Sequence, residues 1–209
     1  MIDWLSNQWF DLSSKYTNDD ALISTLWVEI HDHYTSKKRF YHTLSHIHSM
    51  LINLHEIKDS IVNFDSVTYA IWYHDIIYNV TKNNNEEQSA KFAKKRLKLF
   101  LFDPKQVKKI EKLIISTKIH QIINSENSDN ASLLDLDLLI LGSGWETYLN
   151  YSKNIRKEYA IYPDFIYKKG RKKVLKSFLD REYLYFTNHF RNTHEEQARL
   201  NLKRELDSI

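Results

Sequence analysis

The sequence predicts an all-α protein, on three observations. Turn-forming residues are scarce: the 209 residues include three glycines and two prolines, where average usage would give roughly fifteen and ten. Sandwiches and barrels need many tight turns, and dinucleotide-binding α/β folds need glycine-rich loops, so both classes are disfavoured. Apolar residues recur at i, i+3 and i+4 through most of the chain, the period of a helix with one buried face. Capping residues precede several of these runs.

Taken in order, Asp19 or Asp20 can cap a helix carrying Leu22, Ile23, Leu26, Trp27 and Ile30 on one face. Residues 43–54 repeat the pattern with Leu44, Ile47, Leu51 and Leu54. Asp65 can cap a helix in which Val67, Ala70, Ile71, His74 and Ile77 share a face. The polar run 81–85 breaks it and opens a helix over 86–100. Asp103-Pro104 has the form of a helix start with proline in the first turn, and that helix runs to about 117. The polar stretch 124–130 reads as a loop. Ser132 opens an apolar helix over 133–141, stopped by Gly142. Long charged helices follow over 145–162 and from Pro163 to about 185. The last helix runs from about 193, supported by Glu195 and Arg199 at i, i+4. Trp4, Trp9, Trp27, Trp72, Tyr73 and Trp145 recur at helical spacing and read as core. The expected organisation is a single domain, with a core over about 20–142 and a helical extension over about 143–209.

Composition narrows the function. Lys plus Arg is 30 and Asp plus Glu 27, a net charge of +3, too small a bias for a dedicated nucleic-acid binder. The lysine-rich stretch 168–173 reads as a solvated helix face. With no cysteine, disulfides, thiolate zinc sites and cysteine nucleophiles are all excluded. No basic leader and no bilayer-length apolar run is present, so the expectation is a soluble, cytoplasmic protein without a membrane partner.

Three places carry chemistry. His42 and His46 stand at i, i+4 at a helix start, a spacing that can feed one site. His74-Asp75 is an adjacent pair in an apolar stretch, where buried charge must be paired, protonated or coordinated, and metal coordination satisfies both groups at once. Asp135 and Asp137 lie in a helix apolar on every face, which implies burial. Ser132 and Asp135 have the spacing of a capping box. Asp137 has no such local role, and residues two apart point about 200° from one another on a helix, so Asp137 is favoured as a ligand over Asp135.

In this order, His46, His74-Asp75 and Asp137 resemble the H…HD…D signature of the HD-domain superfamily, which consists largely of metal-dependent phosphohydrolases on a helical core. The segment Tyr41-His42-Thr43-Leu44-Ser45-His46 resembles the opening motif of the cyclic-nucleotide phosphodiesterases. Across nearly its whole length the chain resembles a small bacterial branch of HD proteins of roughly 200 residues. That likeness runs through Arg39-Phe40-Tyr41-His42, Asn85-Glu86-Glu87-Gln88-Ser89-Ala90, Ile155-Arg156-Lys157-Glu158-Tyr159, Gly170-Arg171 and Glu195-Glu196-Gln197-Ala198-Arg199-Leu200-Asn201-Leu202. It implies an HD-type helical bundle with added C-terminal helices, with His42 as general acid and His46, His74, Asp75 and Asp137 as metal ligands. The other long phosphodiesterase motifs are missing, as is the glutamate-rich continuation of the alarmone hydrolases, so no substrate carries over.

Two imidazoles and two carboxylates suit one or possibly two divalent ions among Mn, Fe, Co, Ni, Zn and Mg. The expected activity is hydrolysis of a small phosphomonoester or phosphodiester, such as a nucleotide, with Asp75 and His42 taking part in the chemistry. The alternative is a catalytically weak module that binds metal or nucleotide and signals to a partner, possibly as an oligomer. Arg39 is close enough in sequence to bind phosphate, and His120 is a candidate phosphate contact or second-metal ligand. Glu86 or Glu87 is a candidate for orienting water, against the plainer reading of helix-start acids. Arg156, Arg171 and Arg199 are candidates for a phosphate groove, against salt-bridge roles.

Overall fold

The computed structural model describes residues 1–123 and 128–209. Among them there are ten helices and no strand, so the chain is all-α. The helices are α1 (Ile2–Ser13), α2 (Asp20–Tyr34), α3 (Leu44–Glu56), α4 (Phe64–Tyr73), α5 (Asn85–Leu97), α6 (Pro104–Ser116), α7 (Asp129–Asp137), α8 (Trp145–Glu158), α9 (Asp164–Leu179) and α10 (Asn188–Ser208). Short 3₁₀ turns occupy Lys58–Ser60 and Leu139–Gly142.

Local chemistry explains most of the starts. Asp19 caps α2 by accepting the Leu22 N–H. Thr43 accepts from Ser45 at the head of α3, and Asp103 accepts from Lys105 beside Pro104 at the head of α6. At α4 the cap is Asn63, which accepts the Ser66 N–H. The expected cap, Asp65, instead receives Lys15 and the Tyr16 hydroxyl.

Helix α4 is the axis of the fold. It packs against α3, α5, α6 and α7, and every residue from Ser66 to Tyr73 is buried. Trp9 meets Tyr69, Trp72 and Tyr73 edge-to-face at 5.8, 5.8 and 6.1 Å, a geometry aromatic pairs favour. Trp4, Trp27 and Trp145 are partly buried against the same apolar cluster. That cluster contains residues on both sides of Gly142, from Leu5 to Leu202.

Several boundaries differ from the periodic reading because distant side chains claim the backbone. Helix α4 stops at Tyr73, and Arg39 takes the carbonyls of Asp75 and Ile76 beyond it. Helix α7 starts at Asp129, earlier than Ser132. Asp129 and Asn130 are buried there: Asp129 accepts from the Val62 and Asn63 N–H groups and from Lys109, and Asn130 binds the Ile123 N–H and Ser116. Positions 124–127 of the expected loop lie outside the described residues. Helix α9 ends at Leu179 and α10 begins at Asn188. Between them Glu195 accepts the N–H groups of Leu184 and Tyr185, and Asp135 those of Phe186 and Thr187.

Asp135 therefore anchors the C-terminal loop and does not close a capping box. Burial pushes its carboxyl up to about 6, against the hydrogen bonds from Phe186 and Thr187. Gly142 also differs from expectation, since no glycine has a positive φ. A Cβ at Gly142 would stand 2.7 Å from the His194 Cβ and 2.9 Å from its carbonyl oxygen. The residue is small because α10 crosses there. Among the described residues no helix is long and apolar enough to cross a membrane.

Candidate metal centre

The ends of three helices bring the acids and imidazoles together. His46 sits in the first turn of α3, His74 directly follows α4, Asp75 follows it, and Asp137 closes α7. The ligand atoms of His46, His74 and Asp75 all lie within 4.8 Å of one another. Nε2 of His46 is 3.3 Å from Nε2 of His74 and 3.2 Å from Oδ1 of Asp137. Nε2 of His74 is 3.2 Å from Oδ2 of Asp75 and 3.5 Å from Oδ1 of Asp137. Of the two acids in α7, Asp137 reaches this cluster while Asp135 is bonded elsewhere, as their opposite directions on the helix require.

The donor set fits a divalent ion. Nδ1 of His74 is 2.9 Å from the Ile71 carbonyl, which can only accept, so Nδ1 carries hydrogen and Nε2 turns its other face to the cluster. Four ligand-type atoms then crowd together around buried His74, 1% exposed, an arrangement that a proton on the rings or a cation among them satisfies. Ligand atoms about 2.1 Å from one ion lie about 3.0 Å apart at right angles and about 3.4 Å apart in a tetrahedron; the spacings of 3.2, 3.2 and 3.3 Å fall in that range, and the His74–Asp137 spacing of 3.5 Å lies just beyond it.

The electrostatics agree. Burial lowers His74, but the charges of Asp75 and Asp137 and their hydrogen bonds lift it well above the usual imidazole value. Burial raises both carboxyls, and the imidazoles overcome it: His74 and His42 for Asp75, and hydrogen bonds with His120, His46 and His74 for Asp137. Burial keeps His46 below its ordinary value.

Around this centre stand three groups placed by tertiary contacts. His120, with φ 46°, lies in the left-handed region that few non-glycine residues occupy. Its Nε2 is 3.0 Å from Oδ2 of Asp137, the oxygen not turned to His46. His42 precedes α3, with Nε2 3.8 Å from Oδ2 of Asp75. Its Nδ1 meets Oε2 of Glu158 at 2.7 Å. Burial lowers His42, yet the Asp75 charge and the Glu158 hydrogen bond raise it overall.

Glu158 is the site residue the sequence reading did not select. Its Oε1 accepts the backbone N–H groups of Phe40, Tyr41 and His42, and its Oε2 also accepts the Tyr78 hydroxyl. Burial pushes the carboxyl up, and these bonds, led by His42, bring it down to about 2. A signal was available: Glu158 is the last residue of α8, where the helix dipole disfavours an acid.

The expected phosphate ligands are mostly committed elsewhere. Arg39 donates to the carbonyls of His42, Asp75 and Ile76, so it ties the two motif segments together and does not face a phosphate. Arg156 binds Asp164 and the carbonyls of Tyr159 and Tyr162 at the α8–α9 turn. Arg171, 8% exposed, forms a two-pronged pair with Glu205. Arg199 pairs with Glu195 and binds three carbonyls. Glu86 lies half-buried in the first turn of α5, where burial and the Asp75 charge raise its carboxyl, without a hydrogen bond to the cluster. Glu87 pairs with Lys118.

Next to the cluster is a half-open cavity of about 340 Å³. Its lining includes His46 and Tyr41, Leu136 and Ile140, and Thr147, Asn150, Tyr151 and Asn154 of α8. In comparisons with known proteins, no family model, curated protein or solved structure matches the chain.

Proposed function

We propose that the chain is a metal-dependent phosphohydrolase of HD type, acting on a small phosphate ester. The observation that carries this reading is the cluster of His46, His74, Asp75 and Asp137 beside His42, an imidazole held by its own carboxylate. Neutral imidazoles leave the cluster with two formal negative charges, which a divalent ion offsets. Bound there, such an ion supplies positive charge to phosphoryl oxygens and makes water a stronger nucleophile.

The chain's own groups handle the protons. In hydrolysis the water oxygen bonds to phosphorus as the bond to the leaving oxygen breaks. Asp75, partly open to solvent, is placed to accept the proton lost by water. His42 holds a proton at Nε2 for the leaving oxygen, because Glu158 secures Nδ1 and stabilises the charged ring. Glu158 is a positioning residue: it fixes the His42 backbone and ring together.

The test is metal analysis of protein purified without a chelating tag, then phosphate release with added Mn²⁺. About one ion per chain and metal-dependent release are expected, both lost in His74→Ala and Asp75→Ala. Glu158→Gln is expected to keep the ion and the KM while kcat falls about 100-fold, the lower end of what a general acid contributes. Protein that takes up no ion would overturn the assignment. Tight nucleotide binding without turnover would favour the signalling module.

A further inference from the structure

The cavity beside the cluster differs in chemistry from the rest of the surface. Charged residues make up 27% of the chain, yet among the described residues no Lys, Arg, Asp or Glu lines it. Its α8 wall presents Thr147, Asn150, Tyr151 and Asn154, spaced i, i+3, i+4 and i+7, so they form one stripe along a single helix face. Ser45 and Ser49 of α3 add hydroxyls from the side that carries His46. The exposed side chains of Thr147, Asn150 and Ser49 have no hydrogen-bond partner among the described residues. Amides and hydroxyls both donate and accept, which suits a ligand that is neutral and hydroxyl-bearing.

Tyr41 and Tyr151 both belong to the lining. The Tyr41 ring lies 5.0 Å from the His46 ring, 5.0 Å from His42 and 4.6 Å from Tyr151. The cavity thus meets the metal cluster and the proton donor across an aromatic wall. At about 340 Å³ it sits near the lower end of the usual range for ligand sites, about 300 to 1,000 Å³.

Positive charge around the site is also limited. Arg39, Arg156 and Arg171 are bonded to the protein as described, Lys118 pairs with Glu87, and Arg181 donates to the carbonyls of Ile119 and His120. Lys157 is the exception: it donates to Asn154 Oδ1 of the cavity wall and lies over the Phe40 ring, with no carboxylate partner among the described residues. Resting on the phosphohydrolase reading, we infer that the substrate is a phosphate ester of a neutral, hydroxyl-rich group of sugar to nucleoside size, and that the Asn150–Asn154 face of α8 binds that group.

The experiment is calorimetric titration of Mn²⁺-loaded protein with inorganic phosphate, ribose 5-phosphate, adenosine 5′-monophosphate and adenosine 5′-triphosphate. At least one of the three esters is expected to bind about tenfold or more tightly than inorganic phosphate. In Asn150→Leu/Asn154→Leu that tenfold advantage is expected to disappear, about the effect of losing one or two hydrogen bonds. Circular dichroism of this exposed-face variant checks its folding, and Asn150→Asp is a second probe, expected to weaken the monophosphates by repulsion. If phosphate binds but no ester binds better, the inference falls and the phosphohydrolase reading stands. If no phosphate compound binds the metal-loaded protein, both fall.

Discussion

Two clusters of buried charge are built in opposite ways. Between α8, α9 and α10, Glu205 receives Arg171 at 2.8 and 2.9 Å, together with the hydroxyls of Tyr148 and Ser152. Its negative charge is answered within the chain. At the ends of α3, α4 and α7, Asp75 and Asp137 face imidazoles, and their charge is answered by protons on those rings or by an added ion. The difference separates a structural ion pair from a ligand site more clearly than burial does. The sequence left Arg171 between a phosphate groove and a salt bridge, and its two bonds to Glu205 put it in the closed kind.

Removing one partner of the closed cluster should give the largest loss of stability. Arg171→Met leaves Glu205 buried without its cation and is expected to cost about 3 to 5 kcal/mol, measured by denaturant unfolding. Arg171→Met/Glu205→Leu should recover most of that loss, since apolar replacement of a buried pair is often neutral. The pH dependence follows from the same pair. Burial raises the Glu205 carboxyl, but Arg171, Tyr148 and Ser152 hold it below the ordinary value. Between the folded and unfolded pKa the unfolded chain binds more protons, so stability rises with pH there. The stabilisation is present above about pH 4.3, the ordinary glutamate value, and is lost as pH falls through the depressed one. In the double variant this acid loss should shrink.

The open cluster should respond to metal. Mn²⁺ at 100 times its Kd is expected to stabilise the folded chain by about 2.7 kcal/mol, read as a rise in unfolding midpoint. His74→Ala should abolish that increment, while Arg171→Met, though less stable, should retain it. A metal increment that survives His74→Ala would place the ion elsewhere and erase the contrast between the clusters.

The same contrast explains what was legible in the sequence. Helices were visible wherever an apolar period and a nearby cap agreed, as at Asp19 and Asp103. His46, His74-Asp75 and Asp137 stood out because a polar group in an apolar run demands a local explanation and had none. Glu158 was hidden because its partner His42 is 116 residues away and its own neighbours are ordinary surface residues. Arg39, Arg156 and Arg171 were misassigned for a related reason: an arginine's five donors suit a phosphate and a set of carbonyls equally well. Helix α1 was not assigned. The ends of α4 and α9 were set by Arg39, Asp135 and Glu195, side chains outside those helices.

The smallest effects concern the two glycines that flank these regions. Gly142 follows α7, the helix that ends in Asp137, where α10 crosses, and a methyl group there would meet backbone. Gly142→Ala is expected to cost about 1 to 3 kcal/mol as α10 shifts, the range for overpacking. The shift would also disturb the Tyr185 bond to the Leu138 carbonyl, next to Asp137, so the metal increment should fall with stability. Gly170 precedes Arg171 in α9, and a Cβ there meets nothing within 4 Å. Gly170→Ala should gain about 0.5 to 1 kcal/mol through reduced backbone freedom in a helix interior, and should leave the metal increment unchanged. Opposite signs in unfolding, with metal dependence altered in the first variant alone, would show that the ion senses the packing of α7 and not the stability of the bundle as a whole.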